Sequence, residues 1–299
     1  MANTKTNLAR LAALNILVAC AVMGLKYVAY AVTGSVALYS DALESIVNLV
    51  TAVAALIAVR IALRPADRSH PYGHHKAEYF SAGLEGALIL IAALIILHAA
   101  YEAWYTPRKL EAPLEGLLIN GLATLLNAGW GWFLIRCGRA WRSPAIVADG
   151  WHLMTDVATS VGVLAGLLLA LATGWLFLDS LMAALVAINI LWAGWNITTQ
   201  SLGGLMDQSV TADVLSRIRQ VIASSASGAL QVHDLRTRVA GPVTFIEFHL
   251  VVPGAMPVAQ AHAICDRIEA ALTGAIDGAD VLIHAEPEGE AKSRGALTF

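Results

Sequence analysis

The sequence predicts a two-part chain. An all-α membrane domain of six spans covers residues 1–208, a small α+β domain with the order αββαβ covers 209–287, and a C-terminal tail covers 288–299. Three observations predict this. Apolar residues make up 58% of the 299 and charged residues only 14%, against about 45–50% and about 25% in soluble domains, and the mean hydropathy is +0.65. Six windows stay apolar over the ~20 residues that a bilayer crossing needs. From Thr211 onward, charges and prolines return at soluble density.

The same numbers exclude a disordered, fibrous or disulfide-rich secreted chain. A net charge of −3 lacks the basic footprint of a nucleic-acid partner. Cys20, Cys137 and Cys265 are far apart with no CxxC pair, which argues against a disulfide framework or a thiolate metal site. No G-x4-GK[ST] pattern points to a nucleotide, and no organic cofactor is expected.

The spans fall near 11–32, 36–62, 80–103, 117–135, 146–172 and 175–198. The first opens after Lys5 and Arg10, and its apolar run is too long for a cleaved signal segment. Lys26, inside it, is expected to snorkel toward the nearer surface. One set of loops carries Lys5, Arg10, Arg60, Arg64, Arg68, Lys76, Arg136, Arg139 and Arg142, whereas the other carries only Arg108 and Lys109. By the positive-inside rule both termini are then cytoplasmic. In the tail domain, helical spacing covers 210–224, alternation covers 232–239 and 243–252, a second helix runs from Pro257 to about 272, and a strand over 281–284 closes the unit. That order suits a three-stranded sheet with two helices on one face, a metallochaperone-like or ferredoxin-like arrangement.

Ionisable groups in lipid cost at least a few kcal/mol each, so each calls for a function. The second span carries Asp41, Glu44, Ser45 and Asn48, which fall within an arc of roughly 100° on a helix. The fifth carries Asp149, His152 and Asp156 on one face. Asp41, His152 and Asp156 together offer one nitrogen and two carboxylates, a set that suits a tetrahedral Zn²⁺ or a similar first-row cation. Asn48, Glu44 and Asp149 are lesser candidates, Asp149 lying near the cytoplasmic end of its span. In the loop RPADRSHPYGHHK, Asp67, His70 and His74 have metal-ligand spacing, and four further histidines, His233, His249, His262 and His284, lie in the tail domain.

These segments resemble a known family. The TGS turn with the following SDALES, the loop PADRSHPYGHHKAE, the fifth-span ADGWHLMTD and the tail segments VHDLRTR and VLIHAEP are similar to those of the cation diffusion facilitators, most closely the bacterial zinc and ferrous-iron efflux branch. The likeness extends from the first span to about Pro287. It implies a homodimeric antiporter, not an enzyme, in the cytoplasmic membrane of a bacterium, exporting Zn²⁺ or a related divalent cation such as Fe²⁺, Co²⁺, Ni²⁺ or Cd²⁺ in exchange for protons. It implies a transport site at Asp41, Ser45, His152 and Asp156, a loop site at Asp67, His70 and His74, and a regulatory binuclear site at His233, His249, His262, His284 and Glu286. It also implies a charge interlock between Lys76 and Asp207. Two positions depart from the family pattern: Ser45 stands where an acidic or histidine ligand is usual, and Glu286 where aspartate is typical. A family member serving mainly as a metal sensor or assembly scaffold, and a membrane metallohydrolase, are the competing readings.

Overall fold

The computed structural model describes the backbone of residues 2–33, 36–105, 114–175, 177–292 and 296–299; the side chains of helical residues 2–6, 29, 32–33, 36–44, 47, 103, 114–117, 120, 163–172, 177 and 179 lie outside the description. Six long helices come first: α1 (Ala2–Thr33), α2 (Val36–Ala62), α3 (Ala77–Tyr105), α4 (Leu114–Ala140), α5 (Pro144–Thr173) and α6 (Phe177–Leu205). Then follow α7 (Ala212–Ser225), β1 (Gln231–Ala240), β2 (Val243–Val252), α8 (Val258–Ala275), β3 (Ala279–Pro287) and β4 (Leu297–Thr298). The chain forms two compact units, Met1–Leu202 and Gly203–Phe299.

In the first unit, α1 packs on α2 and α4, and α5 packs on α2, α3 and α4. One apolar core gathers Leu8, Leu11, Val59, Leu134, Ile146 and Leu153, and another joins Ile89 and Ala93 of α3 to Ile190 of α6. Between α4 and α5 the backbones nearly touch: a Cβ on Gly150 would stand 2.9 Å from the Gly131 carbonyl oxygen, and one on Gly131 would stand 3.0 Å from that of Gly150. Small residues at such crossings let helices associate where lipid removes the usual hydrophobic drive. Large apolar side chains meanwhile point outward, among them Ile95 and Trp192 at 63% and 67% exposure. Among the described residues, three stretches are long and apolar enough to cross a membrane, Asn7–Val28, Ala77–Glu102 and Ser180–Leu205. Lys26 departs from the snorkelling expectation, being buried at 3% exposure.

The second unit is a sheet of order β3-β2-β1-β4 with α7 and α8 on one face. Ile246, Phe248 and Leu250 of β2 turn inward to meet Ile218 and Ile222 of α7 and Ile264, Ile268 and Leu272 of α8. The intervening positions, His249 among them, therefore lie on the opposite face. β1 and β2 form an antiparallel hairpin, whereas β2 and β3 run parallel and are joined through α8. The expected three strands gain a fourth: β4, from the segment read as a tail, pairs with β1 through Gln231↔Thr298 and Val232↔Leu297. The Gln231 side chain fastens that segment by donating to the Lys292 carbonyl at 2.9 Å and accepting from the Lys292 N–H at 2.8 Å.

Candidate metal sites

α2 and α5 turn their polar stripes toward one another. Asn48 of α2, 5% exposed, places its Oδ1 2.7 Å from Nε2 of His152, and its amide nitrogen donates to Asp156. Because that nitrogen faces a carboxylate, Oδ1 faces the imidazole, and Nε2 of His152 is the donor in this arrangement. Ser45 is buried one turn before Asn48 at 1% exposure. Thr155 spends its hydroxyl on the His152 carbonyl at 2.6 Å and Thr51 on that of Asn48 at 2.9 Å, so those hydroxyls satisfy themselves within their own helices. The side chains of Asp41 and Glu44 lie outside the described residues.

Asp149 has different company. Its carboxylate accepts the side-chain amide of Asn15 from α1, and Asn15 accepts the indole N–H of Trp130 from α4 at 2.5 Å. Two buried glutamates on α3, Glu78 and Glu85, escaped the reading of the sequence; Glu78 accepts the hydroxyl of Ser143, at the start of α5. The signal for both was the one applied to Asp41, an ionisable residue within an apolar helix.

In the loop, the Asp67 carboxylate organises a tight turn. Its Oδ1 accepts the Ser69 N–H at 2.8 Å, the Ser69 hydroxyl at 2.7 Å and the His70 N–H at 2.8 Å. The Ser69 hydroxyl, then the His70 amide, hold this carboxyl well below the usual carboxylate range. His70 Nδ1 and His74 Nε2 each stand 3.5 Å from an Asp67 oxygen, and one ligand atom from each of the three residues fits within 4.8 Å of the others. Gly73, at φ 83, supplies the left-handed backbone that returns the chain toward Asp67. His74 is mostly buried, with Nδ1 lacking a hydrogen-bond partner among the described residues.

The third group sits on the open face of the sheet. His233, His249 and His284 occupy matched positions on β1, β2 and β3, with ring centroids 5.2 Å apart for the first pair and 5.0 Å for the second. Glu286 reaches all three: its oxygens are 3.2 Å from His233 Nε2, 2.7 Å from His249 Nδ1 and 3.7 Å from His284 Nε2. A bulge makes this placement. Asp234 adopts φ 52 where the β1 register shifts, so His233 lies on the open face while Leu235, two residues on, packs into the core. Nδ1 of His233 is buried without a hydrogen bond among the described residues, while the buried Nε2 of His233 and Nδ1 of His249 face only the Glu286 carboxylate. Buried donors in that condition fit a metal ion, and imidazole with carboxylate suits Zn²⁺. Asp234, absent from the predicted ligands, joins His233 and His249 within ligand distance; Lys292 binds its carboxylate and holds it below its ordinary range. His262 rides instead on α8, 3.5 Å from Asp266, and the structure does not bring it to the other three histidines. Asp207 is 3.4 Å from Arg238 within the same unit.

Residues 12–206 match the family model described as the cation efflux transmembrane domain, and residues 210–288 match that of the cation efflux protein cytoplasmic domain. An uncharacterized transporter of Synechocystis sp. is 46% identical over 282 residues, 94% of this chain and 91% of its own. The cation-efflux pump FieF of Serratia proteamaculans is 34% identical over 269 residues, 88% of this chain and 87% of its own. Among solved structures, that of a putative zinc transporter, CzrB, in its zinc form is 49% identical, covers 29% of this chain and 98% of that one, and has a TM-score of 0.28. A helical membrane domain joined to an α+β domain of this family defines a cation efflux transporter. The chain belongs to the cation diffusion facilitator family.

Proposed function

We propose that this transporter exports Zn²⁺, or a related cation among Fe²⁺, Co²⁺, Ni²⁺ and Cd²⁺, from the cytoplasm in exchange for protons. It acts as a homodimer in the cytoplasmic membrane of a bacterium, with six spans and both termini cytoplasmic. The observation that carries the reading is the pairing of Asn48 with both His152 and Asp156, which supports a single buried site built from α2 and α5. Asp41, His152 and Asp156 bind the cargo there, with Asn48 and Ser45 completing the shell; Asp149, engaged by Asn15, is left out of it. Imidazole and carboxylate bind a cation only when deprotonated, so metal and proton displace each other at the same atoms. Alternating access of the site to the two sides turns that competition into exchange.

The sheet group is regulatory in this reading, and the loop group is a further metal site. A cation gathered by His233, His249, His284 and Glu286 biases the dimer toward one state by binding it better than the other, and His262 joins that set on the strength of the family resemblance alone. The charge interlock of Lys76 with Asp207 enters this reading on the family resemblance alone.

Purified full-length protein reconstituted in vesicles should carry Zn²⁺, and His152→Ala or Asp156→Ala should each abolish the flux while leaving the protein folded by size-exclusion chromatography. Flux surviving both substitutions would sink the site assignment.

A further inference from the structure

The chain runs on past residues 210–288, the stretch that the cytoplasmic-domain family model matches, and Lys292 and residues 296–299 return to the sheet beside the histidine group. The Gln231 side chain holds the Lys292 backbone through both its carbonyl and its N–H, at 2.9 Å and 2.8 Å. β4 then lies along β1, Leu297 packs against the apolar core, and the Phe299 N–H donates to the Leu230 carbonyl at 3.2 Å. These main-chain and packing contacts fix where Lys292 stands without help from its charge. Its ammonium reaches the Asp234 carboxylate, and among the described residues no other cation bonds that carboxylate.

Asp234 stands beside the histidines for a reason of backbone. On a regular strand consecutive residues point to opposite faces, which would send Asp234 away from His233. The bulge gives Asp234 a left-handed φ of 52 where the register shifts and re-aims its side chain. One ligand atom each from His233, Asp234 and His249 consequently falls within 4.8 Å of the others. His233 is the buried member of the three, its side chain 1% exposed and its Nδ1 without a hydrogen bond among the described residues. A left-handed backbone is strained for a residue with a Cβ, and strain kept beside unpaired imidazole nitrogen points to a use for the carboxylate. His233, His249, Glu286 and Asp234 offer four donors, the number that a tetrahedral Zn²⁺ takes.

We infer that Asp234 is a ligand of the cation held by His233, His249 and Glu286, and that Lys292 is a tethered competitor that occupies its carboxylate until this cation displaces the ammonium. The inference rests on the reading of this face as a cation site. One positive charge gives way to two at the same carboxylate, and the dication gains imidazole lone pairs at the same time. Ammonium and dication repel each other, so occupancy by one opposes occupancy by the other. The displaced ammonium, 49% exposed against 35% for Asp234, moves into water and gives up only an exposed ion pair, which is weak. Its backbone stays fastened through Gln231 and β4, so the competitor remains at hand at a high local concentration. The cation concentration at which the site fills is raised accordingly.

Amine acetylation of the purified full-length protein, resolved peptide by peptide by mass spectrometry, reads the state of Lys292 directly. Zn²⁺ should raise the labelling rate of Lys292 about two- to fivefold, the range open to an exposed ion pair, and should leave it unchanged in His233→Ala. A Zn²⁺ titration of protein carrying His152→Ala and His70→Ala takes the other two proposed sites out of the readout. In that background Lys292→Met should tighten binding by a similar factor, Asp234→Asn should weaken it, and Lys292→Arg, which keeps the competing charge, should leave it as it was. Once Asp234→Asn is in place, adding Lys292→Met should change nothing. Undiminished affinity in Asp234→Asn, or Zn²⁺ bound with the labelling of Lys292 unchanged, overturns the inference alone. Equal Zn²⁺ binding with and without His233→Ala overturns the reading of this face as a cation site, and the inference with it.

Discussion

Ser45 is a buried hydroxyl one turn before Asn48, and under the proposed transport reading an anion in its place would strengthen the field on a dication. Ser45→Asp should tighten Zn²⁺ binding by about tenfold, roughly 1.4 kcal/mol, in a titration of the purified protein; an unchanged Kd would say that Asn48 or a neighbour already completes the shell. Asp67 illustrates a different use of a carboxylate. Its folded-state value is depressed chiefly by the Ser69 hydroxyl, so the stability it lends the turn is present above the ordinary carboxylate range and is lost as pH falls through the lower folded value. Ser69→Ala should move the Asp67 titration, followed by carboxyl-carbon NMR, upward in pH. A titration that stays put would assign the effect to the backbone amides. At this scale the sequence was informative where polar residues recur at helical spacing, as Asn48, His152 and Asp156 do. It left Asn15 unassigned, because no second polar group at helical spacing forms a stripe with it, and left Glu85 unassigned as well, although Glu85 carried the same mark as Asp41.

The elements owe their legibility to periodicity, and its absence explains what was missed. Long apolar windows announce helices, and the alternation of Phe245, Ile246, Phe248 and Leu250 announces β2. A two-residue strand such as β4 has no period to detect, and the bulge at Asp234 reverses which face follows His233, an effect invisible without the pairing. The β-hairpin turn and the α8–β3 junction meet at Gly278, which has φ 69 and would bring a Cβ within 2.1 Å of the Pro242 carbonyl oxygen. Gly278→Ala therefore combines a left-handed backbone with a clash and should cost about 1–3 kcal/mol. Hydrogen exchange of the full-length protein should show β2 and β3 losing amide protection while α1 keeps its own. Unchanged protection in β2 and β3 would mean that the turn relaxes freely around the new methyl.

For the whole molecule, the composition that separates a lipid-borne unit from a soluble one also isolates the chemistry. In a chain with 14% charged residues, carboxylates and imidazoles held inside the helical unit stand out against their surroundings, while the sheet unit gathers three histidines around Glu286 on its open face. Cargo and signal are in this reading the same ion, met at two places. The direct test is Zn²⁺ movement in proteoliposomes with an acidic lumen, recorded together with lumenal pH. The proposed exchange predicts Zn²⁺ accumulation that persists only while the pH difference is imposed, matched by lumenal alkalinisation, and absent in His152→Ala. Zn²⁺ uptake indifferent to the pH difference, or undiminished in that variant, would contradict it.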